Sequence, residues 1–526
     1  MKELIYHRNF MPAMKRFNDA IAVVDGRYTA TFREHAQRVF RLAHALQHQL
    51  GIGRGDRFAV LALNSHVYLE LYHAALLGAG IINPMNLRLS PKELEYIIRD
   101  SGAEVVFVDK HFAKALDAAL KIGEVTLVRH IVLIGDGEGD ETGIHDLVYE
   151  NLLAAADASI PAEPEEEDPA VLMYTGGTTG LPKGVVLTQR AQMLNLYHTR
   201  IHRPIESEGT AILIQAPMFH VASTSTVVSA YVIGARTVLI PAFQPEIVLS
   251  EIERNQVTAT TMVPTMIGMM LSHPGFSPDR IRSLKYLSYG ASPMPMALLE
   301  KLDKVAPQLE LYQGYGMTEC NAVLTLLKPD DHRRGGKYLR SVGQPVPGVE
   351  LSIRDSEGNE LETGEIGEVC ARGGNFMSQY WNKPEATKEA FKDGWYHSGD
   401  AGYVDKEGYL YLVDRVKDMI ISGGENVYSI EVENAISNHP DVSQVAVIGI
   451  PDRTWGEAVH AVVVLREGAN VTSDAIIAHA REQIAGYKVP KSVEFRRSPL
   501  PLSAVMKVLK TELRAPYWKD QEASIA

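Results

Sequence analysis

Tyr174-Thr175-Gly176-Gly177-Thr178-Thr179-Gly180-Leu181-Pro182-Lys183 follows an apolar run, Ala170-Val171-Leu172-Met173, whose pattern predicts a buried strand. Glycine lets backbone N–H groups turn towards an anion with no Cβ in the way, and each threonine adds a hydroxyl donor. Lys183 contributes a positive charge. A strand that runs into such a loop is built to hold phosphates. It is not a Walker A loop, which needs Ser or Thr after its lysine; Gly184 stands there.

Outward from this loop the chain alternates helical and extended patterns. Phe32 to Leu50 carries apolar residues at helical spacing, and Arg57–Leu63, Ala103–Val108 and His130–Gly135 read as strands. A βαβ rhythm resumes from Thr210 to about Val323, which implies helices packed on sheets in an α/β fold. Glu163-Pro164-Glu165-Glu166-Glu167-Asp168-Pro169 reads as a solvated acidic connector. After Gly343 the pattern changes to short strands and turns. A smaller α+β module follows, with a helix predicted at Ser429–Asn438 and strands near 444–450 and 459–466. The boundary is expected at Asp414–Lys417.

Bulk properties exclude several classes. The 526 residues are too many for one hydrophobic core. A net charge of −13 argues against a general nucleic-acid binder. The N-terminus lacks the apolar stretch of a signal peptide, and no run is long enough to predict a transmembrane helix. Two cysteines make no disulfide framework, so a reducing cytoplasm is the expected setting. Among tempting features, His198 and His202 lack a third zinc ligand. Met266, Met269 and Met270 read as core or pocket lining. With no Gly-x-Ser-x-Gly elbow, a hydrolase lacks its nucleophile.

Tyr312-Gln313-Gly314-Tyr315-Gly316-Met317-Thr318-Glu319 is the second chemical signal. It combines an aromatic ring to stack a base, glycines for close approach, a hydroxyl, and a carboxylate suited to Mg²⁺, an ion usually held by one or two carboxylates plus substrate phosphates. Four further stretches stand out: Tyr289-Gly290-Ala291-Ser292-Pro293, Tyr396-His397-Ser398-Gly399-Asp400, Asp414-Arg415-Val416-Lys417-Asp418 and Pro499 to Lys510.

In this order the motifs resemble those of the adenylate-forming superfamily of acyl-CoA synthetases, luciferases and adenylation domains, along essentially the whole chain. The first loop is similar to T-S-G-T-T-G-x-P-K-G, with Gly176 in place of Ser. The resemblance implies a large N-terminal α/β domain (1–413), a hinge (414–417) pivoting on Lys417, and a small mobile α+β domain (418–526). It implies that Thr175, Gly176, Gly177, Thr178, Thr179, Gly180 and Lys183 hold the ATP phosphates. Gly290, Ala291 and Ser292 form the adenine turn, Tyr315 packs on adenine beside Gly316, and Thr318 contacts the α-phosphate. Glu319 ligates Mg²⁺, while Asp400 and Arg415 hold the ribose. Ser422, Gly423 and Gly424 would line the CoA tunnel. The final motif is similar to L-P-x-T-x-x-G-K-I, with Ser503 for Thr and Met506 for Gly, and designates Lys507 as the adenylating lysine; Thr175 and Glu319 complete the catalytic group. From Arg481 to Lys519, nine Lys or Arg face three Glu, a basic surface suited to ATP and CoA.

The implied reaction joins a carboxylic acid to CoA through an acyl-AMP, with ATP, Mg²⁺ and CoA as cofactors and cosubstrates. Acetate-specific relatives carry a Trp where this chain has Gly316. Gly290, Gly314 and Gly316, with His220 at the pocket mouth, therefore suggest an open site for a medium- or long-chain fatty acid or an aryl or arylpropenoic acid. By this reasoning a Trp at 316 would fill the pocket and favour short acids. Three rival readings stay open: an adenylating enzyme that loads a carrier protein, a luciferase-like oxygenase, and a non-catalytic acyl or nucleotide binder. Oligomeric state is open too, a homodimer among the options.

Overall fold

A computed structural model describes residues 3–123, 127–135, 142–175, 181–202, 209–292, 294–415, 419–422, 425–452, 454–503 and 508–518. Two large sheets dominate. One has nine strands, in the order Gln344–Pro345, Thr325–Leu327, Glu310–Tyr315, Tyr286–Gly290, Ala259–Met262, Ala211–Ile214, Arg236–Leu239, Ile21–Asp25 and Tyr28–Thr31. Its inner strands are parallel and its edges antiparallel. The other has eight strands and contains Pro169–Thr175 beside Ile81–Pro84, Arg57–Leu61 and Val105–Asp109. The helix His66–Leu76 is buried at all but its first residue and contacts strands of both sheets, together with Val221–Val232. Buried along most of their length, these two helices are core layers rather than surface ones.

Local signals explain the elements well. Phe32–His48 starts at a capping box in which Thr31 Oγ1 accepts the Glu34 N–H and the Glu34 carboxylate accepts the Thr31 N–H. The helix Pro91–Ser101 opens the same way on Ser90 and Glu93, and closes on Gly102 at φ 63°. The acidic connector differs from its solvated expectation. The Glu166 carboxylate accepts the backbone N–H groups of Glu3 and Leu4, Glu163 pairs with Arg8, and Asp168 pairs with Arg54. This segment pins the N-terminus to the sheet. Of the three methionines, Met266 and Met270 are buried but Met269 is exposed.

A third sheet of five strands includes Gly367–Gly373, Trp395–Val404 and Leu410–Arg415. Between Arg415 and Ile420 the chain leaves it for a separate five-stranded sheet built on the long hairpin Val442–Asp452/Gly456–Leu465. The helix Ser429–Ser437 packs on that hairpin.

Two histidines lie deep in the large domain. His35 Nε2 sits 2.7 Å from His73 Nδ1, and neither side chain is exposed. Burial lowers the pKa of both, His73 to about 4. Between pH 6.5 and 4 the unfolded chain therefore binds protons that the folded protein refuses, and stability falls as pH falls. The loss should reach roughly 3 kcal/mol at His73 alone by pH 4. Thermal melts from pH 7 to 4.5 should show the large-domain transition dropping, and His73→Gln should flatten that dependence. Equal slopes in the two proteins would exclude the pair as its source.

Candidate active site

The strands Pro169–Thr175 and Lys183–Thr188 form an antiparallel hairpin in which Thr175 faces Lys183 in register. Thr175 Oγ1 donates to the Lys183 carbonyl at 3.4 Å. Gly176, Gly177, Thr178, Thr179 and Gly180 lie outside the described residues. Opposite the hairpin, the parallel strands Tyr286–Gly290 and Glu310–Tyr315 end side by side, with Gly290 and Gly314 in register. Ligands of open α/β sheets bind beyond the carboxyl ends of such strands. A cleft of about 2600 Å³ occupies that position.

Thr175, Lys183, His220, Gly290, Ala291, Ser292, Gly314, Tyr315, Gly316, Thr318, Glu319 and Asp400 all line this one cleft. Residues up to 225 positions apart in the chain thus converge as the motifs imply. Tyr315 OH donates to Asp400 Oδ2 at 2.6 Å. Burial and the Asp400 charge raise the Tyr315 phenol well above its ordinary pKa, so it stays a donor and orients the carboxylate. His220 begins the helix Val221–Val232, and its Nδ1 accepts the Ala222 N–H at 3.3 Å, which fixes the ring at the cleft wall. Ser422 is buried in the strand Ile420–Ser422 and does not line the cleft. Arg415 aligns with Asp400 across neighbouring strands; its side chain, and Lys417, Gly423, Gly424 and Lys507, lie outside the described residues.

Two site residues carried no recognisable signal in the sequence. Tyr380 OH donates to Glu319 Oε1 at 2.8 Å, and its ring lies 5.0 Å from Lys183 Nζ. One tyrosine therefore spaces the carboxylate from the lysine, so that a cation and phosphates can be held between opposite charges. Only the pairing of the edge strand Gln379–Tyr380 with Lys183–Thr188 brings it there. The second is Glu368. Its Oε1 accepts the Gly399 N–H at 2.9 Å and its Oε2 lies 2.8 Å from His397 Nδ1, bracing the turn that leads to Asp400. Cys370 joins these two, all three ligand atoms lying within 4.8 Å of one another. Burial pushes its thiol up to about 12, so it rests as a neutral thiol.

The glycines divide by role. A Cβ on Gly290 would meet the Gly314 carbonyl oxygen at 2.3 Å, and one on Gly316 would meet the Ala322 carbonyl oxygen at 2.2 Å. Both are glycine because backbone packs against them. Gly314 is different: a Cβ there meets nothing within 4 Å. The open pocket belongs to Gly314, and the expectation that a side chain at 316 would simply fill it is corrected. The adjoining turn is strained as well, with Asn321 at φ 56°, Ala322 at φ 89° and, beyond Gly290, Ala291 at φ 66°.

The family model for AMP-binding enzymes matches residues 10–381, and that for the AMP-binding enzyme C-terminal domain matches 431–507. The chain belongs to the AMP-binding enzyme family. It is 38% identical to a feruloyl-CoA synthase from an Amycolatopsis species, over 95% of this chain and 96% of the relative. It is 35% identical to a long-chain-fatty-acid–CoA ligase of Salmonella typhimurium, over 96% and 93%. The solved o-succinylbenzoate CoA synthetase of Bacillus subtilis, in complex with its acyl-adenylate intermediate, superposes with a TM-score of 0.83 at 30% identity, over 96% of this chain and 97% of that one. The activity is that of an acyl-CoA synthetase: an acid–thiol ligase that works through an acyl-AMP. No described helix is long and apolar enough to cross a membrane.

Proposed function

We propose that this AMP-binding enzyme activates an acid with a long or aromatic apolar body, a medium- or long-chain fatty acid or an aryl or arylpropenoic acid. The observation that carries this is the open space in front of Gly314. It lies in a cleft walled by Phe219, Val221, Met262, Met266 and Val323, so an acyl body there would shed apolar surface from water. The substrate carboxylate attacks the α-phosphorus of ATP and expels pyrophosphate. The CoA thiol then attacks the acyl carbonyl and AMP leaves. The first step turns a poor electrophile into a good one.

The residue roles in this reading combine the lining of the cleft with the order of the motifs. Thr175, Lys183 and the loop 176–180 cradle the phosphates, and Thr318 lies beside them. Asp400, oriented by Tyr315, accepts the ribose hydroxyls, with Arg415 on the next strand. Gly290, Ala291 and Ser292 frame the adenine. Glu319 is the protein ligand for Mg²⁺; one carboxylate facing a phosphate cradle is the donor set that ion usually takes. When bound, the ion neutralises phosphate charge. Lys507 supplies the cation for the adenylating step, and Ser422, Gly423 and Gly424 serve the thiol step. We divide the chain at 413 and 418, with 414–417 as the hinge about Lys417.

The test is a carboxylate panel (acetate, octanoate, palmitate, benzoate and ferulate), scored for AMP release and thioester mass. At least one long or aryl acid should exceed acetate by about 100-fold in kcat/KM, the equivalent of about 3 kcal/mol of transition-state binding. Acetate as the best substrate would refute the open-pocket reading.

A further inference from the structure

A thiol, an imidazole and a carboxylate meet where two strands fall out of step. On Gly367–Gly373 the side chains of Glu368 and Cys370, two residues apart, project from the same face. On the neighbouring strand Trp395–Val404 their partners are Ala401 and His397, four residues apart. The surplus residues form a bulge in which Gly399 takes φ 71° and which delivers Asp400 to the cleft. At the base of this bulge His397 Nδ1 lies 2.8 Å from Glu368 Oε2 and 3.5 Å from Cys370 Sγ. A neutral ring cannot serve both. As N–H it donates to the carboxylate and offers the thiol hydrogen no acceptor; as a lone pair it accepts from the thiol and faces the carboxylate with no proton between them. A divalent cation takes all three lone pairs at once.

The spacing suits zinc. Bonds of about 2.3 Å to sulfur and about 2.0–2.1 Å to nitrogen, at a tetrahedral angle, put those two ligand atoms about 3.5 Å apart. Sγ and Nδ1 already stand at that distance. The carboxylate oxygen has to withdraw by roughly half an ångström, since the same geometry sets nitrogen and oxygen about 3.4 Å apart. Thiolate with imidazole selects zinc-like cations, whereas Mg²⁺ takes oxygen ligands. Glu368 and His397 line the cleft, and Cys370 is buried behind them. A cation therefore enters from the cleft and keeps its fourth position there, the pattern of an open zinc site.

We propose that Glu368, Cys370 and His397 form an inhibitory zinc site that opposes nucleotide binding. The Cys370 sulfur binds as the thiolate, and its proton passes to solvent as the Zn–S bond forms. Withdrawal of Glu368 pulls on the Gly399 N–H that its other oxygen accepts at 2.9 Å, and the Asp400 N–H is tied to Ser398 Oγ in the same turn. Zinc thus draws Asp400 away from the hydroxyl that Tyr315 donates at 2.6 Å. The site itself stands apart from any reading of the reaction; its effect on nucleotide rests on Asp400 as the ribose acceptor.

The probe is Co²⁺, which occupies zinc sites and reports a thiolate ligand by a charge-transfer band in the near ultraviolet. Cys320 and Cys370 are the only cysteines of the chain, so any such band comes from one of them. Co²⁺ should raise the band on the full-length enzyme and Zn²⁺ should abolish it. Cys370→Ser should lose the band while its melting temperature, and its turnover without added zinc, match the parent. A second variant, His397→Gln, keeps the thiol and should weaken Co²⁺ by more than about 100-fold, since a lost ligand outweighs the partners outside the coordination shell. No band, a band that survives in Cys370→Ser, or undiminished affinity in His397→Gln overturns the site. The coupling is read by binding of a 5′-acylsulfamoyl adenosine, which carries the ribose but no phosphate to chelate zinc. Zn²⁺ should weaken that binding by about tenfold, within the usual range of coupling between sites, and the analogue should weaken Zn²⁺ by the same factor. Cys370→Ser should remove both effects. Unchanged affinity in the presence of Zn²⁺ overturns the inhibition. Asp400→Asn that binds the analogue as the parent does would overturn the ribose reading instead, whereas the cobalt band is judged without it.

Discussion

Lys507→Ala should lower ATP–pyrophosphate exchange by about 10²–10³-fold, the range measured when one preorganised donor to a developing anion is removed. Attack on the α-phosphorus gathers negative charge on the phosphoryl oxygens and the leaving pyrophosphate, and a positioned ammonium is worth most where water is excluded. Thioester formation from preformed acyl-adenylate should be largely spared, because its charge develops on the acyl carbonyl. The departures around this lysine, Ser503 and Met506, sharpen the test. Met506 stands where the motif it resembles has glycine, so Met506→Gly should leave exchange the same or higher. Near-normal exchange in Lys507→Ala would mean that the flanking pattern marks the wrong lysine and that Lys183 or Lys510 carries the charge.

Gly316→Trp should depress activity on every acid, acetate included, whereas Gly314→Leu should discriminate by length. At 316 any side chain drives its Cβ into the Ala322 carbonyl oxygen, 2.2 Å away, and that oxygen belongs to a turn already strained at φ 89°. The turn must move, and Thr318 and Glu319 move with it. At 314 a side chain enters empty space in the cleft, which the proposed reading gives to the acyl body. Overpacking a fitted site costs about 1–3 kcal/mol, roughly ten- to a hundredfold in specificity. Gly314→Leu should therefore lose that factor on octanoate and ferulate and keep acetate within a few-fold. The measurement is kcat/KM for the three acids on both variants. A Gly316→Trp enzyme that gains on acetate relative to octanoate would show that the turn yields and that position 316 does set length.

Much of this protein was legible in its sequence, for physical reasons. Phosphate loops need glycine and hydroxyl residues at close spacing, so the stretch from Thr175 to Lys183 suggests that chemistry without any knowledge of the fold. Capping boxes at Thr31 and Ser90, apolar periodicity in Phe32–His48, and the hairpin after Val442 are short-range devices, and local sequence dictates them. The order of the motifs implied the family, which the matches over 10–381 and 431–507 establish. Contacts between distant segments were decided by tertiary structure alone. Tyr380 reaches Glu319 because an edge strand pairs beside Lys183; Glu368 braces the Asp400 turn because two strands align out of a bulged register. The acidic run 163–168 reads as solvated until the N-terminus folds onto it, since its partners Glu3, Leu4 and Arg8 lie some 160 residues away. The glycines show the division most clearly. Gly290, Gly314 and Gly316 are the same letter, but only the backbone that packs around each one separates the two that forbid a side chain from the one that leaves room for substrate.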